Sequence, residues 1–524
     1  MAASGLTGRL DELVNNLPEP QLAQAVGWLQ QTDSPCYLVG GTVRDSLLNT
    51  TAHFAPARRP GRLQGQTPNP TAHHDLDFAV PADARRLARR LADALDAAYY
   101  PLDDTRDVGR IVIQPEGEDT RYVIDIARFQ GDTLEADLRG RDFTLNAMAV
   151  DIQSLPPKLL DPTGGRLDLR AGLLRAAGDT AIQDDPVRAL RAIRFRAQFG
   201  FQIETYTRTL ITRSILGLHS VSAERVRDEL NKTFCLADVI DSLYELDSLG
   251  LLCVLFPELL EEKGVTPLGC HQWDVFSHSL ETVGMLEDML PLCTTPGEAG
   301  VPFADMVADH VSQMLPGGVS RRTLLTWAAL FHELGQPHVS ENRRRKPAAP
   351  GDLSDSGADG HTQPTAELAS TILQRLHFSK PAIRMVDAAL RSHTTPLHLA
   401  IEGPVNNRTA HRFFRHGGAA GVEAVLLALA DNQAIIVPGN QTKEWPALLS
   451  TADFLLDAYF NHKESVISPP PLLVGSDLIN QFGLKPGPQL GRMLAALAEA
   501  QAAGEVHDPG QARQWVTQQL GQTQ

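Results

Sequence analysis

The chain changes character near residue 175, and that change constrains its fold more than any single motif. Between about 36 and 155, short runs rich in β-branched and aromatic residues ("CYLVG", "DLDFAV", "RIVIQ", "RYVIDIARF", "AMAVDI") alternate with helical patterns such as "ADARRLARRLADAL". That alternation predicts an α/β or α+β domain. Downstream the strand signals stop, and apolar residues recur at helical spacing through 181–200, 221–236, 237–256, 322–335, 365–377, 421–436 and 488–502. The expected fold class is α+β: a mixed β-sheet with helices, followed by an all-α remainder. A chain of 524 residues also exceeds one core. The expected divisions are 1–30, with 8–30 reading as one helix, then 31–155 with an insertion at 49–73, 156–236, 237–467 and 468–524.

Composition narrows the class. Hydrophobic content of 43% and charged content of 21% describe an ordinary soluble globular protein. No run of 18 apolar residues predicts a spanning helix, and the start "MAASGLTGRLDELVNN" lacks the apolar core of a signal peptide. Five cysteines without paired spacing argue for reduced thiols and against a zinc cluster. Cytoplasm is the expected compartment. A net charge of −16 is not that of a typical polyanion binder, yet residues 185–230 hold eight arginines against five carboxylates. A local basic surface can still hold a polyanion.

Residues 37–48, "YLVGGTVRDSLL", put two glycines at the end of an apolar run. Residues 36–39 read as a strand and Ser46 onward as an amphipathic helix, so Gly40-Gly41 form a strand-to-helix turn. Glycine lets backbone approach something bulky, and a helix N-terminus favours anions. A triphosphate suits that turn. After the insertion comes "HHDLDFAV", residues 73–80. On a strand Asp75 and Asp77 point the same way while Leu76 faces the core. Two carboxylates on one edge can hold Mg²⁺, a hard cation that takes oxygen ligands together with substrate phosphates. An isolated D-x-D is usually only a surface strand. Downstream of a glycine turn it makes a nucleotidyl-transfer site, with amide groups and Ser46 near the phosphates.

Two further stretches follow in order, "DLRGRDFTLNAMAVD" (137–151) and "DDPVRALRAIRFRAQFGF" (184–201). With them the sequence resembles the class II tRNA nucleotidyltransferase and poly(A) polymerase family from about Tyr37 to Phe234, and more loosely to the C-terminus. The resemblance implies a head, neck, body and tail that add C and A to tRNA 3′ ends without a template, from CTP and ATP with Mg²⁺. It implies that Asp75 and Asp77 are catalytic and hold the metals. It further implies nucleotide contacts by Gly40, Gly41, Arg44, Arg141 and Asn146, with Arg191 and Arg194 at phosphate or in a supporting network. Gly140 stands where the family usually has an arginine, so one phosphate or structural contact is expected to be weaker.

Asp185, Arg188, Arg191 and Arg194 are expected near one helix face at i, i+3 spacing. A carboxylate accepts from an exocyclic amine and a guanidinium donates to a ring nitrogen or carbonyl. A rigid Asp/Arg pair therefore accepts C and A and rejects G and U, the role the resemblance implies for Asp185 and Arg188. Addition of A only, of CC only, or of long A tails shares these motifs. Residues 103–113 occupy the place of the family's flexible loop, and Asp125 is either a third carboxylate near the metals or a strand-edge acid. Residues 221–234 match the neck helix, where Glu224 and Arg225 are expected to be structural.

The helical half carries His278, His332-Glu333, His361, His393 and Asp431. This resembles the HD phosphohydrolase arrangement, in which a histidine, a His-Asp pair and a distal aspartate bind a divalent metal. Here the pair is His-Glu, and the extra methylene moves the carboxylate by roughly an angstrom in a geometry that is demanding. Two readings stand: a second divalent metal on His278, His332, Glu333 and Asp431, or a decayed domain kept as an RNA-binding scaffold. A metal-dependent phosphohydrolase with a regulatory head is the competing function. Residues 338–364 read as a polar mobile connection and "SPPP" (468–471) as a linker to a tail that contacts tRNA.

Overall fold

In a computed structural model of the chain, residues 2–15, 17, 19–48, 75–114, 121–266, 273–290, 301–338, 360–435 and 443–522 are described. The insertion at 49–73 and residues 339–359 of the polar connection lie outside them. The described chain divides into two compact units, the first ending at Leu236 but including 245–254, the second taking 237–244 and everything from Leu255.

The first unit is built on a seven-stranded sheet. Its strands are β1 (Tyr37–Val39), β2 (Asp75–Val80), β3 (Ala98–Asp103), β4 (Val108–Ile113), β5 (Tyr122–Arg128), β6 (Ala149–Asp151) and β7 (Lys158–Leu160). Their spatial order is β3-β4-β5-β2-β1-β6-β7. Only β2 and β5 run parallel; the other neighbours are antiparallel. The segment expected to be one helix over 8–30 is two, α1 (Ala2–Asn15) and α2 (Pro20–Gln30). Pro20 opens α2 in its first turn, where a missing N–H costs nothing. The helix expected from Ser46 begins five residues earlier, as α3 (Gly41–Leu48). Ser46 is thus more than a turn from the N-terminus, away from where the phosphates were expected. Residues 103–113, expected as a flexible loop, are instead largely β4, whose Ile111 and Ile113 are buried. A helix α4 (Ala84–Leu95) lays Leu87, Ala88, Leu91 and Ala92 on the sheet. It comes so close to β4 that a Cβ on Gly109 would lie 2.7 Å from that of Ala88.

Beyond α5 (Leu134–Arg139) and α6 (Gly165–Ala171), the helix expected through 181–200 is broken into α7 (Ala181–Asp184) and α8 (Arg188–Phe199). Pro186 is the cause: it disfavours helical backbone at the residue before it, and Asp185 is extended at φ −146°, ψ 93°. Asp185 is therefore not on the helix that carries Arg188, Arg191 and Arg194. Then come α9 (Thr205–Ser214) and α10 (Ala223–Phe234), the latter packed against α8. A two-residue ladder, 314–315 with 319–320, does persist past residue 175, too short to leave a period in the sequence.

The second unit is helical. Trp327 on the helix Arg321–Phe331 is fully buried among Phe256, Phe331 and Phe378. The helix Gly421–Ala434 is buried on nearly every side, which is why its sequence is apolar all round. Its one buried acid, Glu423, is paired with Arg321 (2.6 Å) and His310 (3.0 Å). The last residues of the polar connection form the start of the helix Thr362–Arg375. The tail folds three helices, Gly475–Phe482, Pro488–Ala502 and Pro509–Gln522, around its own core of Leu478, Leu497, Val506 and Val516. No single helix among the described residues is long and apolar enough to cross a membrane.

Candidate functional site

Alternation along β2 puts Asp75 and Asp77 on one accessible face while Leu76 and Phe78 are buried behind them. The parallel register sets Asp125 of β5 directly beside Asp77, and the next ladder sets Arg110 of β4 beside Asp125. Arg110 grips Asp125 with two hydrogen bonds, Nε to Oδ1 at 2.8 Å and Nη2 to Oδ2 at 2.7 Å. Three carboxylates and one guanidinium thus cross three neighbouring strands. Burial, then Asp125, push the Asp77 carboxyl up to about 6, with Arg141 opposing and Asp75 adding. The side chain keeps solvent access, so this burial is that of a crowded strand edge and not of a sealed interior. A row of oxygen donors with surplus negative charge is the donor set a hard divalent cation requires.

Gly40 ends β1 at φ +76°, a conformation that favours glycine. A Cβ there would stand 3.4 Å from Asp77 Oδ2 and 3.5 Å from Arg141 Nη1. The glycine turn, the metal-type carboxylate and an arginine therefore meet at one point. Thr42 anchors the turn by donating to the Asp75 carbonyl at 3.0 Å. Arg141 is steadied by Asp137, whose Oδ2 accepts from Nε and Nη2 at 3.2 Å each.

The other arginines are committed to the protein. Arg44 is buried; it donates to Asp45 (2.7 Å) and to Asn146 Oδ1 (2.8 Å) and lies over the rings of Phe195 and Phe199. Asn146 passes the contact to Asp142 (3.0 Å), which accepts from Arg191 (2.9 Å). Glu229 of α10 then lies 3.7 Å from Arg191 and 2.7 Å from Arg194. Burial alone would raise the carboxyls of Asp142 and Glu229, yet both are lowered, the first chiefly by Arg191 and the second by Arg194. One charged network links the 142–146 turn to the neck helices, with Arg44, Arg191 and Arg194 inside it.

The base-reading candidates stand apart from this chain. Arg188 Nη1 donates to the carbonyls of Gly140 (2.9 Å), Ala181 (3.0 Å) and Arg141 (3.2 Å). Asp185 Oδ2 is 3.9 Å from Arg188 Nε and 2.7 Å from Arg225 Nη2. Sequence reasoning had no signal for Arg110, Asp142 or Glu229 as partners, because each meets its counterpart only through strand register or helix packing.

In the second unit His278, His332 and Asp431 converge, one ligand-type atom of each within 4.8 Å of the others. His278 Nε2 is 2.9 Å from Asp431 Oδ1 and 3.3 Å from His332 Nε2. His332 Nδ1 donates to the Ala329 carbonyl at 2.8 Å, so in the neutral ring the lone pair is on Nε2. Burial would raise Asp431, but the hydrogen bond from His278 and the nearby imidazole of His332 hold it well below the usual carboxylate range. Glu333 is beside this trio rather than within it, with Oε1 3.8 Å from His332 Nε2 and 3.9 Å from His361 Nε2. Its Oε2 is buried without a hydrogen bond, and burial pushes its carboxyl up to about 7, with His332 opposing. His393 joins the cluster by ring contact with His332 and His361. Glu262, unmarked in the sequence, is buried nearby, accepts from Ser279, and is raised by burial and then by Glu333.

Three family models match the chain between residues 36 and 434. Residues 36–175 match the poly A polymerase head domain, 200–263 a probable RNA and SrmB-binding site of polymerase A, and 275–434 the HD domain. The chain is 32% identical to the A-adding tRNA nucleotidyltransferase of Deinococcus radiodurans, over 84% of this chain and 90% of that one. It is 28% identical to the CC-adding tRNA nucleotidyltransferase of Geobacter sulfurreducens, over 92% and 91%. A CCA-adding enzyme solved with ATP shares the fold at TM-score 0.62 and 19% identity, covering 98% of both chains. A Thermotoga maritima CCA-adding enzyme solved with tRNA does so at 0.57 and 18%, again covering 98% of both. With the carboxylate edge, the glycine turn and the arginine-bearing neck in the family's order, the chain belongs to the class II tRNA nucleotidyltransferase and poly(A) polymerase family and is a nucleotidyltransferase.

Proposed function

We propose that this enzyme adds C and A to tRNA 3′ ends from CTP and ATP, with Asp75 and Asp77 as its catalytic carboxylates. The observation that carries the reading is the meeting of Gly40, Asp77 and Arg141 at one end of β1, with Asp125 alongside. Asp75 and Asp77, helped by Asp125, would hold Mg²⁺. Bound there, the ions supply Lewis-acid activation of the RNA 3′-hydroxyl and charge neutralisation at the leaving pyrophosphate. Gly40 and Gly41 make room for the triphosphate and Arg141 binds it. Asn146, aimed by Arg44 and Asp142, contacts the sugar. Asp185 accepts from the exocyclic amine of cytosine or adenine and Arg188 donates to the ring edge. In this reading 31–155 is the head, 156–236 the neck, 237–467 the body and 468–524 a tRNA-binding tail.

A narrower reading, addition of A alone, is favoured by the likeness to the Deinococcus radiodurans enzyme. The deciding experiment is primer extension on tRNA transcripts ending before CCA, after C and after CC, with CTP and ATP given separately and together. Extension of all three to a defined CCA end supports full addition. Extension of the CC-ended transcript alone makes the enzyme A-adding, and extension of none refutes both.

For the body we propose a second divalent ion on His278, His332 and Asp431, with Glu333 completing the set by a side-chain rotation. The support is the convergence of one ligand atom from each of the three. Elemental analysis of purified wild type and H332A tests it: equal metal content in the two refutes the site.

A further inference from the structure

We propose that Arg225 of α10 is a specificity-setting positioning residue that fixes the Asp185 carboxylate for base selection; this rests on the base-reading role given above. Asp185 stands in extended backbone between α7 and α8, so no helical turn holds its side chain. It is held from outside: Arg225 Nη2 donates to Asp185 Oδ2 at 2.7 Å from a helix 40 residues further along the chain.

Arg188 does not do this holding. Its Nη1 is occupied by the carbonyls of Gly140, Arg141 and Ala181, and its Nε is 3.9 Å from Asp185 Oδ2. The two members of the base-reading pair are therefore fixed by different parts of the fold, Arg188 by the 140–141 turn and Asp185 by α10. Their separation, which an incoming base must match, depends on both anchors. Both cationic contacts fall on Oδ2, which leaves Oδ1 as the acceptor for an exocyclic amine.

Energetics also point to orientation. The side chains of Arg225 and Asp185 are 53% and 27% exposed. An ion pair so open to solvent adds little to stability, and its consequence is the geometry of the carboxylate. Arg225 touches no reacting atom in this scheme. Its loss changes which nucleotide is held well, not how fast a correctly held one reacts.

The test uses the full-length enzyme and tRNA transcripts ending before CCA and after CC. Steady-state kcat and KM are measured for CTP, ATP, GTP and UTP with wild type, R225Q, R225K, D185N and the double variant D185N/R225Q. R225Q is expected to raise KM for the accepted nucleotides about tenfold and to cut their preference over GTP and UTP by a similar factor, the effect of one charge-assisted hydrogen bond. Its kcat stays within about threefold of wild type. R225K keeps most of the preference, and the double variant selects no worse than D185N. Unchanged KM and preference in R225Q, beside lost preference in D185N, overturn the role of Arg225 and leave base reading intact. A fall in kcat alone in R225Q makes the residue merely structural and also overturns the proposal. Unchanged preference in D185N sinks the base-reading assignment itself, and Arg225 with it.

Discussion

Asp77 in the head and Asp431 in the body are the same residue type in opposite electrostatic states. Burial, then crowding by Asp125 and Asp75, push the Asp77 carboxyl up to about 6. Asp431 is half-buried, and His278 and His332 hold it well below the usual range. The difference lies in the neighbours. Like charges on a strand edge leave a surplus that Arg141 and Arg110 offset only in part, whereas imidazoles face the acid of the body. The head edge therefore offers the oxygen donors and negative charge that a hard cation takes. The body trio is self-satisfied and can keep its shape with or without an ion.

The largest expected effect tests that division. Replacing Asp75 and Asp77 together by alanine should lower incorporation of labelled CMP or AMP by at least about 10³-fold, the worth of several kcal/mol of transition-state charge stabilisation. H332A should change the same rate by less than about threefold. Comparable losses in the two variants would abolish the contrast between a catalytic edge and a self-satisfied trio.

A second prediction concerns the network that supports the head. E229A leaves the largely buried Arg194 without its carboxylate while Arg191 keeps Asp142, and breaking such a buried pair costs about 3–5 kcal/mol. The denaturation midpoint of the head should fall accordingly. A midpoint within experimental error of wild type would mean that the network is not held by Glu229.

Next is the glycine turn. Gly40 lies at φ +76° with the Asp77 carboxylate within reach of any added Cβ. G40A should cost about 1–2 kcal/mol of backbone strain and raise KM for the nucleotide. Wild-type stability and KM in G40A would show that the turn is not the nucleotide's doorway.

The smallest effect is a pH signature. The Asp77 pKa in the fold, about 6, lies above the ordinary 3.8, so the folded state keeps a proton that the unfolded chain has released between those values. Stability then falls as pH rises through that window. D77N removes the titration. In metal-free buffer its melting-temperature advantage over wild type should be absent near pH 4, grow toward pH 6 and level off above. A constant difference across that range would deny the crowding of Asp77.

Much of the site was legible because it is written in local patterns. The D-x-D alternation needs only the two-residue period of a strand, and the Gly-Gly turn only the backbone freedom of glycine. Other parts misled for equally local reasons. Arginines at i, i+3 suggest that Asp185 shares their helix, although Pro186 in the same stretch disfavours helical backbone at the residue before it. Residues 103–113 stand in the place of a flexible loop, but Val108, Arg110 and Val112 alternate with buried Gly109, Ile111 and Ile113 as strand residues do.

What the sequence determined by itself was the order of elements, the head's mixed character and the residue types at both centres, since each follows from short-range periodicity or side-chain chemistry. The tertiary structure alone decided which partner each charge meets. Arg110 finds Asp125 through strand register, Glu229 finds Arg191 and Arg194 through the packing of α10 on α8, and Arg225 finds Asp185 across 40 residues. A charge's reach is a few ångströms through space, and spacing along the chain carries no record of that distance.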